Sequence, residues 1–341
     1  MFFKKNTMKI NFNSFNTRPI NLLSNQAKNI NFKSAWDFDK FQKQEPKHIK
    51  NLSDDFQNPI KIVFSDIDGT MIANSIPYLH KNVYKSMIDL KEKNIPLILT
   101  TGRSINEVFS FTNRMPYHPD FLILEQGAYI TDNLCRPIYK NPITEEDANK
   151  VFDFYKEYSK EDRCSQLVTY INGREYLLNS YEVAENYLFP ENLNYLQNKF
   201  AKGDLPTKFL LFLPRYLGED GRKKVLNTAK LFLDSDKFSM MFTDPHYFEI
   251  SKKSASKGNA AKFIAEKYGI ELQNALGIGD GENDISLIST IQNEKGLGIA
   301  MGNAQKCLKE RANFVTDNVS DYGFATAIDS VLKHNKQFKK L

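Results

Sequence analysis

Cysteine is scarce in this chain, and its spacing excludes the usual cysteine-based sites. The 341 residues contain three cysteines, Cys135, Cys164 and Cys307, with no C-x-x-C pair among them. Such scattered cysteines provide neither a disulfide framework nor a zinc site. We therefore expect reduced thiols and a cytoplasmic location.

Long apolar runs are also absent from the sequence. No run reaches the roughly 18 residues that a transmembrane helix needs. We therefore expect a soluble protein without a membrane partner. The length of 341 residues and a hydrophobic content of 41% suit two globular domains rather than one.

Acidic residues are missing from the N-terminal stretch. Residues 1–34 contain six Lys or Arg and no Asp or Glu, so this stretch accounts for the formal net charge of +5. The rest of the chain is close to neutral and has no basic excess that would attract nucleic acid. We expect no nucleic-acid partner, and no motif indicates a protein partner. Residues 1–55 are predicted to be a disordered extension, with an organelle transit peptide as the less favoured alternative.

One short stretch combines a predicted buried strand with paired carboxylates. Residues 60–70 have the sequence IKIVFSDIDGT, in which Ile62 to Phe64 are apolar on both faces of the predicted strand. This pattern is typical of a central strand in a parallel sheet. Asp66 and Asp68 follow the strand, and adjacent carboxylates repel each other unless a proton or a metal ion lies between them. The stretch therefore indicates a functional site.

Strands and helices are predicted to alternate on both sides of this stretch. Residues 60–124 predict strand, helix, strand, helix and strand, and the same rhythm returns from residue 256 to residue 333. That alternation is typical of a parallel α/β sheet.

The intervening residues have a different rhythm and many aromatic side chains. Predicted helices and strands alternate there: helices at 145–159, 182–201 and 219–233, and strands at 166–171, 208–213 and 239–243. We therefore predict an α/β core built from residues 56–140 and 252–341, interrupted by an inserted α+β domain at residues 141–251.

Polar residues follow several of the predicted core strands or begin helices of the core. They are Asp66, Asp68, Thr101, Lys257, Asp280, Asn283 and Asp284. Open α/β sheets bind ligands at the carboxyl ends of their strands, so we expect these groups to converge. Several carboxylates around one point suit Mg²⁺. Carboxylates, a metal ion, a hydroxyl and an ammonium group together favour phosphoryl transfer.

The predicted roles differ among these residues. Asp66 is the candidate nucleophile that forms an aspartyl phosphate, and Asp68 is the candidate acid/base. The candidate metal ligands are Asp66, Asp68, Asp280 and Asp284. Thr101 and Lys257 are predicted to hold the oxygens of an anionic group.

These residues resemble the motifs of the haloacid dehalogenase superfamily, in particular its Cof-type, class IIB sugar-phosphate phosphatases. Residues 66–70 match the D-x-D-G-T motif, residues 101–104 match the second motif, Lys257 matches the third-motif lysine, and residues 279–284 match G-D-x-x-N-D. The resemblance implies a parallel core with an inserted α/β cap, Mg²⁺ as cofactor and a small phosphorylated metabolite as substrate. The implied substrate-binding residues are Thr101, Gly102, Lys257 and Asn283.

One position departs from the subfamily pattern, and two other functions stay open. Gln126 stands where the subfamily usually has Asn, and Arg103 is predicted to be structural rather than catalytic. The nearer alternative function is a phosphotransferase or phosphomutase, which would pass the phosphoryl group to a sugar hydroxyl. The more distant alternative is a binding module without catalytic activity.

Overall fold

The computed structural model describes residues 47–49, 52, 56–73, 78–160, 165–178 and 190–340, all within one compact unit of the chain. Most of the predicted N-terminal extension lies outside these residues. Among the described helices, none combines the length and apolar character that a membrane crossing requires.

Within the part of the chain that the structure describes, the larger sheet has nine strands and forms the core. In chain order these are β1 Lys47–His48, β2 Ile62–Ser65, β3 Leu97–Thr100, β4 Phe121–Leu124, β5 Tyr129–Asp132, β6 Pro137–Lys140, then β12 Ala275–Gly279, β13 Leu297–Ala300 and β14 Phe314–Val315. Their order across the sheet is β1-β14-β13-β12-β2-β3-β4-β5-β6. Pairing is parallel from β1 to β4, and β5 and β6 add an antiparallel edge. The predicted parallel α/β core is confirmed.

Strand β2 lies inside this sheet because both of its faces are apolar. Val63 packs into the hydrophobic cluster on one side of the sheet, whereas Ile62 and Phe64 pack into the cluster on the other side. All three side chains are fully buried. A continuous apolar run of this kind needs helices on both faces of the sheet.

Helices of the core follow the strands closely. They are α1 Lys81–Glu92, α2 Ile105–Thr112, α6 Lys257–Tyr268, α7 Ile285–Asn293, α8 Lys306–Lys309 and α9 Gly323–Asn335. Side-chain caps fix the first residues of two of these helices, α2 and α6. Ser104 forms a capping box with Glu107 at the start of α2, and the Ser256 hydroxyl accepts the Asn259 N–H at the start of α6.

The smaller sheet is antiparallel throughout. We call this sheet, together with its helices, the cap. Its strands are β7 Gln166–Ile171, β8 Arg174–Leu177, β9 Lys208–Phe212, β10 Phe238–Asp244 and β11 Tyr247–Lys252, in the order β10-β11-β9-β7-β8. One apolar cluster unites this sheet with helices α3 Glu145–Ser159, α4 Pro190–Ala201 and α5 Glu219–Phe232. The predicted fold class, a parallel core with an additional α+β cap, is confirmed. For the helix predicted at 182–201, residues 182–189 lie outside the described residues.

Five of the described strands were not predicted from the sequence: β1, β5, β6, β8 and β11. Strands β5, β6, β8 and β11 each follow another strand after a turn of only a few residues, so each completes an antiparallel hairpin. Mixed polarity also removes the apolar pattern by which a strand is recognised in the sequence: β6 and β8 have no buried residue, and β11 contains Glu249 and Lys252.

The N-terminal edge of the sheet begins earlier in the chain than predicted. Strand β1 pairs in parallel with β14 through Lys47 and His48. Ile49 and Leu52 are buried in the core cluster, at 0% and 3% exposure. These described residues lie within the segment predicted as a disordered extension, and the structure instead places them in the core.

Candidate active site

Strand pairing brings the functional segments to one edge of the core sheet. Strand β2 lies between β12 and β3, so the chain leaves three neighbouring parallel strands at the same edge. Asp66 follows β2, Thr101 follows β3 and Asp280 follows β12. The sheet itself therefore gathers residues that lie far apart in sequence.

Lys257 lies between two carboxylates at the centre of this edge. Its Nζ is 2.5 Å from Asp66 Oδ1 and 2.6 Å from Asp284 Oδ1. All three side chains are almost fully buried, and Lys257 has 0% exposure. Lys257 is the first residue of α6, so the Ser256 cap that starts the helix fixes the backbone from which this side chain extends.

Asp66, Asp280 and Asp284 form an acidic cluster. One carboxylate oxygen from each lies within 4.8 Å of the others. Asp284 is fixed because its Oδ2 accepts the backbone N–H groups of Asp280 and Gly281, both at 2.9 Å. The Thr70 hydroxyl donates to Asp280 Oδ1 at 3.1 Å. The cluster is therefore held in place by bonds that do not use all of its oxygens.

Burial and mutual repulsion dominate the electrostatics of this cluster. Burial raises the pKa of Asp66 well above its ordinary value, and Asp284 and Asp280 add to this, while Lys257 opposes it. Burial and then Asp284 raise the pKa of Asp280 to about 7. Burial also disfavours the charge of Lys257, but Asp284 and Asp66 outweigh it and raise the lysine pKa. A divalent cation among the carboxylates would relieve this repulsion.

The geometry of the acidic cluster fits a hard metal ion. Two buried carboxylates, Asp66 and Asp284, and the partly exposed Asp280 supply oxygen ligands from two neighbouring strand ends, and Mg²⁺ prefers such ligands. Asp66, Asp280 and Asp284 are thus the residues that could hold the ion. The carboxylate of Asp68, which the sequence also proposed as a ligand, instead contacts Arg103.

Arg103 binds Asp68 through two nitrogens. Its Nε lies 2.7 Å from Asp68 Oδ2 and its Nη2 lies 2.5 Å from Asp68 Oδ1. Both side chains are about one third exposed, at 28% and 37%. A bidentate pair of this type fixes orientation more strongly than a single bond does. Asp66 and Asp68 therefore contact different cations, although they are two residues apart.

Position 69 requires a glycine, because of both its backbone conformation and its close neighbours. Its φ of +77° lies in the left-handed region, where a side chain is disfavoured. A Cβ atom at this position would lie 2.2 Å from Asp280 Oδ2. The glycine therefore permits the loop after β2 to approach the acidic cluster.

Thr101 and Gly102 form the second wall of the site. Thr101 is buried, and its Oγ1 accepts the backbone N–H of Arg103 at 3.2 Å. The carbonyl oxygen of Gly102 accepts a hydrogen bond from Lys208 Nζ in the cap at 2.8 Å. The cap thus contacts the core directly beside the predicted phosphoryl-binding residue.

Comparison with known families agrees with this geometry. The haloacid dehalogenase-like hydrolase family matches residues 63–328, which is more than half of the chain. The chain is a member of this family. The matched range starts in β2 and ends in α9, so it includes the cap sheet and every described strand of the core sheet from β2 onward, but not β1.

Individual relatives of this hydrolase are phosphatases. The phosphatase YwpJ of Bacillus subtilis is 26% identical over 299 residues, covering 80% of this chain and 100% of YwpJ. The 5-amino-6-(5-phospho-D-ribitylamino)uracil phosphatase YcsE of the same species is 24% identical over 269 residues, covering 79% of this chain and 94% of YcsE. The predicted enzyme class, a phosphatase of this superfamily, is confirmed.

A solved structure supports the same fold. A subclass IIB sugar phosphatase of the superfamily superposes with a TM-score of 0.60 at 20% identity, covering 79% of this chain and 98% of that protein.

Three residues of this hydrolase contact the site region but were not predicted to belong to it. Gln126 accepts a hydrogen bond from Asn283, Glu249 accepts one from Gln126, and Lys208 contacts both Glu249 and Gly102. Gln126 was noted only as a departure from the subfamily pattern. Glu249 and Lys208 have no signal in the sequence, because most Glu and Lys residues are exposed.

Proposed function

We propose that this hydrolase is a Mg²⁺-dependent phosphatase that cleaves a small phosphorylated metabolite, a sugar phosphate, through phospho-Asp66. The observation that carries the proposal is the Lys257 ammonium group, which lies between Asp66 and Asp284 at the end of the central strand. A fixed cation and a carboxylate cluster at one point suit a reaction in which charge develops on phosphoryl oxygens.

In the proposed first step, an Asp66 oxygen attacks phosphorus and forms an aspartyl phosphate. The bond between phosphorus and the ester oxygen breaks, and that oxygen takes a proton from Asp68. Lys257 and the Thr101 hydroxyl hold the phosphoryl oxygens. A Mg²⁺ ion held by Asp66, Asp280 and Asp284 would supply positive charge beside the transferred group.

In the proposed second step, Asp68 takes a proton from a water molecule that attacks the same phosphorus atom. The bond to Asp66 breaks, and inorganic phosphate leaves. Arg103 orients Asp68 through its bidentate contact, so Arg103 has a positioning role in this scheme.

A sugar phosphate is supported by the surroundings of the site and by the relatives. The relative YcsE is named for a substrate that carries a phosphorylated ribityl group. A cavity of about 210 Å³ lies against Lys257 and is lined by both cap and core residues. We further propose a cytoplasmic location. The proposed domains are a core of residues 56–140 and 252–341, to which residues 47–49 and 52 also belong, and a cap of residues 141–251.

The proposal is tested by measuring phosphate release from a panel of sugar phosphates, with Mg²⁺ and with a chelator. Wild type is compared with Asp66→Asn and with Asp153→Asn, which changes an exposed carboxylate on α3. We expect metal-dependent release that Asp66→Asn abolishes and Asp153→Asn retains. Undiminished release by Asp66→Asn would refute the mechanism, a requirement for a sugar bisphosphate would indicate a mutase, and no release from any compound would favour a binding module.

A further inference from the structure

The cavity beside Lys257 has one wall from the core and one from the cap. Lys257, Gln126 and Asn283 line the core side, while Met241 and Glu249 line the cap side. Lys257 also contacts Asp66, so this lysine links the cavity to the proposed nucleophile. A leaving group attached to the phosphoryl group would extend into this space.

Glu249 is the buried carboxylate of the cap wall. Its side chain is only 9% exposed, and it lies on strand β11 in the interior of the cap sheet. Oε2 accepts Gln126 Nε2 at 3.3 Å, and Oε1 accepts the Thr243 hydroxyl at 3.1 Å. Each carboxylate oxygen has two lone pairs, and one of these contacts is long for a hydrogen bond. Oε1 also accepts from Lys208, so Oε2 is the oxygen of Glu249 that can accept a further hydrogen bond from a ligand in the cavity.

Lys208 balances the charge of Glu249 from within the cap. Its Nζ lies 3.4 Å from Glu249 Oε1, 2.8 Å from the Gly102 carbonyl oxygen and 4.3 Å from the centre of the Tyr170 ring. Lys208 is 1% exposed. Its ammonium group is engaged by the protein itself, and it stabilises Glu249 as a buried acceptor.

Gln126 connects this carboxylate to the core. Its Oε1 accepts Asn283 Nδ2 at 3.3 Å, while its Nε2 donates to Glu249. The Gln126 backbone has a φ of 57°, within the turn that follows β4. Gln126 thus presents its amide to the cavity at the point where cap and core meet.

We propose that Glu249, oriented by Gln126, determines specificity by accepting hydrogen bonds from hydroxyl groups of the leaving group. The inference rests on the proposed phosphatase function and deepens it: the substrate class is a phosphate monoester of a polyhydroxylated, uncharged leaving group. A second phosphate or a carboxylate on the leaving group is disfavoured, because it would lie against a buried carboxylate.

The other charges on the cavity wall support this selection. Glu282 lines the core side and adds a second carboxylate. Lys253 also lines the cavity, but its Nζ donates to the Ser235 carbonyl oxygen at 2.9 Å and lies 3.6 Å from Asp236. Lys257 is bound by Asp66 and Asp284. In the proposed mechanism Lys257 also holds the oxygens of the transferred phosphoryl group, so neither described lysine of this wall is left to pair with an anion on the leaving group, and the wall favours hydroxyl donors over anions.

The test compares kcat/KM for ribitol phosphate, p-nitrophenyl phosphate and a hexose bisphosphate. Glu249→Gln keeps the shape and removes the charge, and Gln126→Asn shortens the orienting side chain. Glu219→Gln is the control, since Glu219 is an exposed cap residue. We expect Glu249→Gln to lower kcat/KM for ribitol phosphate about tenfold, because hydrogen bonds to charged acceptors are stronger than neutral ones. Hydrolysis of p-nitrophenyl phosphate, whose leaving group has no hydroxyl to donate, should be retained.

Further outcomes separate this inference from the proposed function. Gln126→Asn should lower the preference for ribitol phosphate in the same direction, and Glu249→Gln should improve the bisphosphate relative to ribitol phosphate. Equal losses on all three substrates would show a structural role for Glu249 and overturn the proposal, as would no loss.

A binding measurement serves as a readout that is independent of turnover. Ribitol phosphate is titrated into the Asp66→Asn variant and into the double variant that combines Asp66→Asn with Glu249→Gln, and binding is measured by calorimetry. Weaker binding by the double variant supports the inference even if wild type hydrolyses nothing, in which case only the phosphatase function fails. Equal binding by the two variants overturns the inference.

Discussion

Lys257 Nζ lies 2.5 Å from the carboxylate of Asp66, although the two residues are 191 positions apart in sequence. The contact joins the first residue of α6 to the end of the central strand, and a second bond to Asp284 makes the lysine a bridge. Three buried charges are stable here only as a set, because each one alone would be an uncompensated buried ion.

Replacement of Lys257 is therefore expected to damage both stability and activity. Lys257→Met leaves Asp66 facing Asp284 and should lower the free energy of unfolding by about 3–5 kcal/mol at neutral pH. The loss should shrink at low pH, where the carboxylates are protonated, and on addition of Mg²⁺. Urea denaturation measures this, with Lys262→Met, an exposed change on the same helix, as the control. A loss that is equal at low and neutral pH would contradict the charge argument.

Gly69 is predicted to tolerate no side chain. Gly69→Ala combines the strain of a positive φ with the approach of a Cβ to Asp280, and we expect a loss of more than about 1–3 kcal/mol, the range for backbone strain alone. Gly269→Ala is a matched control, because it also has a positive φ but has no neighbour within 4 Å. Thermal denaturation should show a clearly larger loss for Gly69→Ala. Equal losses of stability in the two variants would mean that the close approach of the Cβ to Asp280 does not contribute to the destabilisation.

Glu125 is expected to make stability depend on pH. Burial raises the pKa of Glu125 from 4.5 to about 7, while the Thr207 hydroxyl and Lys208 oppose this and Glu107 and Glu175 add to it. Between these pH values the folded carboxyl keeps a proton that the unfolded chain has released. Its contribution to stability therefore falls as pH rises through this window, by about 3 kcal/mol in total.

Glu125→Gln should reduce this dependence without abolishing it, since the amide does not ionise and its oxygen can still accept from Thr207, whereas the raised pKa of Asp280 remains. Urea denaturation at about pH 5 and about pH 8 checks the prediction, because the two values lie on opposite sides of the raised pKa. Wild type and the control Glu219→Gln should lose stability toward the higher pH. An unchanged slope in Glu125→Gln would contradict the assignment.

The N-terminal edge of the sheet is predicted to contribute to core stability. Ile49 is fully buried beside strand β1, so Ile49→Ala should cost about 2–4 kcal/mol through lost burial and the resulting cavity. Leu231→Ala, at a side chain that is 80% exposed, should change the unfolding free energy little. Denaturant titration distinguishes the two, and equal small effects would show that this segment does not support the core.

The strands and acidic residues of the core could be predicted because local sequence determines them. The apolar run before Asp66 needs burial on both faces, and parallel pairing then brings the ends of neighbouring strands together. Asp280 and Asp284 were predicted beside Asp66 by this rule, which needs no knowledge of the cap.

Other contacts could not be predicted because they depend on how distant segments pack. The bond between Gln126 and Glu249 spans 123 positions and links a core turn to a cap strand. The two contacts of Asp68 with Arg103 could not be predicted either. Strand β2 ends at Ser65, so the alternation of side chains along a strand does not fix the direction of the side chain at residue 68.

The central claim is that Asp66 becomes phosphorylated during turnover. The direct test mixes enzyme, Mg²⁺ and an excess of a hydrolysed sugar phosphate, quenches with acid, reduces with borohydride and sequences the peptide by mass spectrometry. An acyl phosphate is reduced to an alcohol, so we expect homoserine at position 66 in wild type and no such product without substrate. Continued phosphate release with unmodified Asp66 at every quench time would contradict the covalent mechanism.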